Sequence, residues 1–195
     1  MVGTMSLYNN TKMLDENMNI PGLTSLLILT ASLLKAMGRP LGSLSDGLWT
    51  SSAQSSKTSQ LIADPYTFTH IVHGILFYWI FSFTTLSPQT RLLAATTLEC
   101  LWEILENTPL IINRYRTKTV SLGYSGDSII NSLSDIVAMI LGYGLAASMP
   151  WWASVFLTVL VEVGLVYFYK DNLTLSIWML LSPSHSIKQW QLGLK

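Results

Sequence analysis

Five apolar stretches, several opened by a proline pair such as Asp64-Pro65, Ser87-Pro88 or Met149-Pro150, constrain this chain to a bundle of membrane helices. Such runs bury no polar backbone unless it is bonded within the segment, and in lipid only helices and closed barrels achieve that. The stretches cover residues 21–37, 64–86, 87–107, 127–148 and 151–169. Asp64 and Ser87 are good N-caps, and the proline after each suits a first helical turn. The first stretch is short for a span, about 25 Å at the helical rise. The fifth has tryptophans at one end and tyrosines at the other, as in the aromatic belts of two interfaces. A last run, residues 173–181, extends about 14 Å and is too short to cross unaided. After it, Ser182-Pro183 restarts a short helix whose Ile187, Trp190 and Leu194 share one face, as in an interfacial segment. The sequence therefore predicts an all-α polytopic transmembrane bundle of about five spans plus a short C-terminal hydrophobic segment. It divides into a polar N-terminal tail, 1–20, and a single helical domain, 21–195, with a polar loop at 38–63.

Composition agrees. Half of the residues are hydrophobic and 11% are charged, against roughly 25% charged in soluble domains. The net charge of zero gives no pull toward nucleic acid, so the lipid bilayer is the expected partner. A single cysteine, Cys100, excludes an internal disulfide and any multi-cysteine metal site. No P-loop, Gly-rich dinucleotide fingerprint, G-x-S-x-G or H-E-x-x-H motif occurs. The tripeptides opening at Asn9 and Asn172 match the glycosylation pattern only as chance does. Lys35, Arg39, Lys57, Arg114, Arg116, Lys118 and Lys170 fall on one side of the expected bundle, against Lys12 and Arg91 on the other; Lys188 and Lys195 depend on whether the last segment crosses. Basic loops favour the cytoplasm, so the richer side is assigned there.

The candidate functional residues are ionisable groups inside the spans, where charge is costly and normally faces a cavity or a partner. His70 and His73 stand on the second span, Glu99, Glu103 and Glu106 on the third, and Asp127, Asn131 and Asp135 on the fourth. Spacings of three, four, seven and eight put each set on one helix face. All lie in the half of the bundle nearest the basic side, with Glu162 of the fifth span at a similar depth. Three chemistries suit this set. A divalent metal ion fits His70, His73, Glu103 and Asp127 as nitrogen and oxygen ligands, with a metal-held water as reagent. A lipid- or phosphate-type substrate would then be bound or processed, with His70, His73, Glu103, Glu106, Asp127, Asn131 and Asp135 as candidate catalytic groups. Alternatively, Glu99, Asp135 and Glu162 relay protons or cations in a coupled transport element. In the third reading the groups only staple a non-catalytic membrane scaffold. Asp64 and Asp127 also suit helix caps, and Gly142 with Ala146 forms a small-xxx-small pair for close helix contact. Arg114, Arg116 and Lys118 form a basic loop on the same side, a candidate for lipid phosphate or a plain orientation signal. Residues 38–63 read either as a flexible linker or as a functional connection.

Four blocks carry a family resemblance: Tyr66-Thr67-Phe68-Thr69-His70-Ile71-Val72-His73-Gly74, Glu99-Cys100-Leu101-Trp102-Glu103-Ile104-Leu105-Glu106-Asn107-Thr108-Pro109, Gly126-Asp127-Ser128-Ile129-Ile130-Asn131-Ser132-Leu133-Ser134-Asp135, and Asp171-Asn172-Leu173-Thr174-Leu175. From about Met37 onward the chain resembles a family of small bacterial inner-membrane proteins classed as uncharacterised, with a domain of unknown function. The resemblance implies a multi-pass protein of the bacterial inner membrane and implies no activity. Members of that family carry cysteines shortly after the Met-Gly-Arg-Pro block. Here Met37-Gly38-Arg39-Pro40 is followed by none, so no thiol or metal role carries over to that loop. More distantly, the glutamate helix followed by a Ser/Asp/Asn-bearing helix is similar to VanZ-like membrane proteins.

Overall fold

The computed structural model describes residues 19–43 and 45–193, and among these the fold is all-helical. The helices are α1 (Ile20–Ala36), α2 (Thr67–Ser82), α3 (Pro88–Glu106), α4 (Pro109–Lys118), α5 (Ile129–Ser148), α6 (Trp151–Tyr169), α7 (Leu173–Leu181) and α8 (His185–Leu192). Most of the polar tail, with Lys12 and Asn9, and Leu194 and Lys195 lie outside the described residues. The only β feature among those described is an isolated bridge between Trp49 and Ala63.

The helix starts follow local chemistry. Asn19, Ser87, Ser128, Asn172 and Ser184 each accept a backbone N–H from the residue three positions on, filling one of the free donors of a first turn. Ser128, not Asp127, therefore caps α5. Asp64 does stand at the expected start, but α2 begins later, at Thr67. The Asp64 carboxylate accepts from Tyr66 N at 2.8 Å and from Ser59 N at 2.7 Å, so it orders the approach to the helix and the preceding loop together. The basic segment read as a loop is helical: Pro109 opens α4 from an extended Thr108, and Ile112 anchors it in the core. Two helices, α5 and α6, are long and apolar enough to cross a membrane; α1 is apolar but shorter.

Helix α2 lies against α5 in the most extensive contact of the bundle, α1 packs on α3, and α3 closes on α5. The two ends of this bundle differ in character. At one end Leu23 of α1, Leu92 and Ala95 of α3, and Met139 and Tyr143 of α5 form a dry core, with Phe77, Tyr78 and Phe81 of α2 packed on it. At the other end the same helices bury Glu99, Glu103, Asn131 and Asp135. Successive helices α2, α3 and α5 alternate in direction, so the start of α2, the end of α3 and the start of α5 all lie at one end and α2 runs parallel to α5.

The segment 38–63 is docked, not a free linker. Pro40 O and Leu41 O accept from Ile129 N and Ile130 N, and Ser59 O accepts from Ser128 N. Asn131 Nδ2 donates to Leu61 O at 3.0 Å, and Gln60 Nε2 donates to Gly126 O at 2.9 Å. Arg39 binds from the other flank, donating to the carbonyls of Ser125 and Asp127. The loop thus satisfies the free donors at the start of α5 and covers that end of the bundle. Arg39→Ala should loosen it at a cost of about 1.5–3 kcal/mol, the range for charged hydrogen bonds. Limited proteolysis within 51–56 should accelerate several-fold; an unchanged rate would show that Arg39 does not hold the loop.

Candidate functional site

Beneath the docked loop lies a cavity of about 750 Å³. Its polar wall includes His70 and His73 from α2, Glu106 from α3, and Asn131 and Asp135 from α5, with Asp127 just before α5. Six of the seven candidate catalytic residues therefore line one space. The seventh, Glu103, is fully buried next to them, 3.5 Å from His70 Nδ1.

A chain of contacts joins these groups. His70 Nδ1 donates to Glu99 Oε1 at 2.5 Å, and His73 Nδ1 donates to Glu99 Oε2 at 3.0 Å. Glu99 thus orients both imidazoles, a role that fixes a histidine tautomer. The other nitrogen of His70, Nε2, faces Asp135 Oδ2 at 3.9 Å. Farther along, Asn107 clamps Asp127: its Oδ1 accepts from Asp127 N at 2.7 Å, and its Nδ2 donates to Asp127 Oδ2 at 3.0 Å. Tyr124 also donates to Asp127 Oδ2, at 2.7 Å. Burial and the nearby Asp127 and Glu106 carboxyls push the Tyr124 phenol well above its usual range, so it remains a proton donor. Burial likewise raises the Asp64 carboxyl, against the backbone N–H groups of Ser59 and Tyr66 that favour its charged form.

Three atoms in this cluster stand out. Both carboxyl oxygens of Glu103 and Oδ1 of Asp135 are buried with no hydrogen-bond partner among the described residues. Buried polar groups are normally paired, and an unpaired one is expensive. Ligand-type atoms gather around them. Donor atoms of His70, Glu103 and Asp135 lie within 4.8 Å of one another, as do those of Glu103, Glu106 and Asp127, and those of His70, His73 and Glu99. The expected ligand set of His70, His73, Glu103 and Asp127 is thus divided among three adjoining triplets.

The wall formed by the facing sides of α2 and α3 farther along is apolar. Leu76, Phe77 and Ile80 of α2 and Leu98, Leu101, Trp102 and Leu105 of α3 line it. Leu76, Ile80, Leu98, Leu101 and Leu105 are among the exposed large apolar residues. The cavity therefore runs from a buried acid-and-histidine end to a cleft between α2 and α3 that reaches the outer apolar surface.

Some sequence expectations are redistributed. Glu162 does not join the cluster: it caps α7, accepting from Leu173 N at 3.0 Å and Thr174 N at 3.1 Å. Arg114 donates to the Leu180 and Leu181 carbonyls at the end of α7, and Arg116 to Tyr124 O; Lys118 is exposed, and none of the three lines the cavity. Loop residues Ser55 and Ser59 and the aromatic Tyr66, Tyr115 and Tyr124 do line it, and sequence reasoning missed them. Only the length of the loop signalled a role.

Residues 34–193 match a family model described as "Protein of unknown function (DUF2585)". The chain belongs to this family. It is 44% identical over 177 residues to a "UPF0314 protein" of Sphingopyxis alaskensis, covering 87% of this chain and 92% of the relative. It is 46% identical over 150 residues to a "UPF0314 protein" of Paracoccus denitrificans, covering 75% of this chain and 77% of that one. A third relative, a "UPF0314 protein" of Brucella anthropi, is 46% identical over 151 residues, 75% of this chain and 76% of its own. No solved structure matches the chain. The uncharacterised family anticipated from the four sequence blocks is therefore confirmed by these DUF2585 matches. The more distant likeness to VanZ-like proteins gains no support from them.

Proposed function

We propose that this DUF2585 chain is a multi-pass protein of the bacterial inner membrane that binds, and in the enzymatic form of the reading processes, an amphiphile of lipid or phosphate type. The supporting observation is the continuity of the cavity. One end presents His70, His73, Glu106, Asp127 and Asp135, and the other opens through an apolar cleft between α2 and α3. A polar head and an acyl tail have matching surroundings along that path.

Membrane placement rests on the outer surface. Helix α6 exposes Trp151, Trp152, Val155, Phe156, Val159, Leu160, Val163, Tyr167 and Phe168, and α1 exposes Ile28, Leu29 and Leu33. Soluble monomers rarely carry an apolar surface this continuous. Five spans follow if α1, α2, α3, α5 and α6 all cross, with α7 and α8 returning along one interface. Basic residues near the cavity end support an orientation with that end in the cytoplasmic leaflet. Two observations favour this one-sided site over a transport path: Glu162 is occupied as a cap, and the far end is filled by Leu23, Met139 and Tyr143. A purely structural staple would leave neither a cavity nor unpaired carboxyl oxygens.

The test is binding of pyrene-tailed phosphatidylethanolamine to detergent-purified protein. Saturable binding at one site per chain is expected. Filling the cleft with Leu101→Trp should weaken it about tenfold, roughly 1.4 kcal/mol. Non-saturable partitioning that Leu101→Trp leaves unchanged would overturn the reading.

A further inference from the structure

We propose that the polar end of the cavity is a binuclear divalent-cation centre, with Glu103 as the bridging carboxylate between a His70–Asp135 position and a Glu106–Asp127 position. The inference deepens the amphiphile reading by supplying what would hold an anionic head. Its support is separate from the shape of the cavity.

Glu103 belongs to two of the ligand triplets, one with His70 and Asp135 and one with Glu106 and Asp127. It is fully buried, and among the described residues neither of its oxygens has a hydrogen-bond partner, His70 Nδ1 at 3.5 Å being its ion-pair contact. A bridging carboxylate needs this arrangement: one oxygen is available to each ion. Asp135, only 4% exposed, adds a third oxygen, Oδ1, with no hydrogen-bond partner among the described residues, while its Oδ2 faces His70. The histidine is prepared for the task. Its Nδ1 is held by Glu99, which leaves Nε2 on the side of Asp135; a carboxylate–histidine pair of this kind orients metal ligands. On the other position Asn107 and Tyr124 restrain Asp127 through its Oδ2 and its backbone N–H, while its Oδ1 is not used by either.

Charge points the same way. Glu99, Glu103, Glu106, Asp127 and Asp135 bring five carboxyl groups together, and among the described residues no lysine or arginine lines the cavity. Ion pairs within the cluster involve only His70 and His73. Two divalent cations would balance four of those charges and leave coordination positions facing the cavity. Phosphate-type heads are recognised by such pairs, in which each ion takes an oxygen. Carboxylate-rich sites with a single imidazole suit Mn²⁺ or Mg²⁺.

Mn²⁺ is the probe. Protein purified in detergent, stripped with chelator and dialysed against Mn²⁺ should retain two ions per chain by elemental analysis. Its electron paramagnetic resonance spectrum should show coupling between them. Glu103→Gln should abolish the coupling and release at least one ion. Asp135→Asn and Asp127→Asn should each lose one, and exposed Asp46→Asn should keep both. Each variant is first shown to be monodisperse; if Glu103→Gln is not, the Asp135 and Asp127 variants decide. Retention of one ion or none by the wild type overturns the proposal, as does a coupled pair that survives Glu103→Gln. Pyrene-lipid binding is measured on the same preparations. Lipid bound without Mn²⁺ sinks the metal centre alone, and Mn²⁺ bound without lipid sinks the amphiphile reading alone.

Discussion

Gly142→Leu should leave no monodisperse protein in detergent. A Cβ at Gly142 would meet the carbonyl oxygen of Ile71 at 2.0 Å, and one at Gly74 would meet that of Met139 at 1.9 Å. Both obstacles are backbone, so no rotamer change relieves them. The two glycines let α2 and α5 approach closely along the main helix contact of the bundle, as small residues do between membrane helices. Overpacking in a core costs about 1–3 kcal/mol where side chains can yield. Here a helix must move, and the loss should exceed about 4 kcal/mol, a value reserved for severe defects. Separating α2 from α5 would also pull His70 from Asp135. The measurement is size-exclusion profile and thermal unfolding, with Gly144→Ala as control, because nothing lies within 4 Å of a Cβ there. Wild-type behaviour of Gly142→Leu would mean that α2 and α5 do not touch this closely.

That contact shows what the sequence discloses and what it withholds. Gly142 with Ala146 is visible as a small-xxx-small pair, but its partner Gly74 is a lone glycine with no periodic signal. Helical spacing was enough to align His70 with His73 and Glu99 with Glu103, because a fixed rise and turn convert sequence separation into position. The same arithmetic failed for Glu162. Depth along a helix does not say which neighbour a side chain faces, and α7 offered Glu162 the free N–H groups of Leu173 and Thr174. Loop 38–63 was illegible for another reason. It docks largely through main-chain carbonyls of Pro40, Leu41, Ser59 and Leu61, which every residue type possesses. Arg114 and Arg116 illustrate the converse: a basic cluster reads as an anion site, yet here their donors meet carbonyls of α7 and of Tyr124.

His70→Ala and Glu99→Gln should each be strongly destabilising alone and much less than additive together. His70 is the hub of the cluster: it donates to Glu99, lies 3.5 Å from Glu103 and 3.9 Å from Asp135. Removing one partner of a buried charged pair costs about 3–5 kcal/mol, since the other is left uncompensated. Glu99 also holds His73, at 3.0 Å, so Glu99→Gln removes the charge and leaves one acceptor oxygen for two imidazoles while keeping the volume of the side chain. Once either partner is gone, the second substitution has less to destroy. The coupling energy should therefore reach about 1.5–3 kcal/mol, the upper part of the range for residues in direct contact. Thermal or denaturant unfolding of the four proteins in one detergent measures it. Additivity within about 0.5 kcal/mol would mean that His70 and Glu99 act separately. The metal centre makes a further demand on the same cycle. Glu99 orients His70 without being a bridging ligand, so Glu99→Gln should weaken Mn²⁺ binding by about 10- to 100-fold, the effect of losing an outer-shell partner. Glu103→Gln should eliminate the coupled pair altogether. A graded loss at Glu99 beside an absolute loss at Glu103 would separate the residue that positions the site from the residue that joins its two halves.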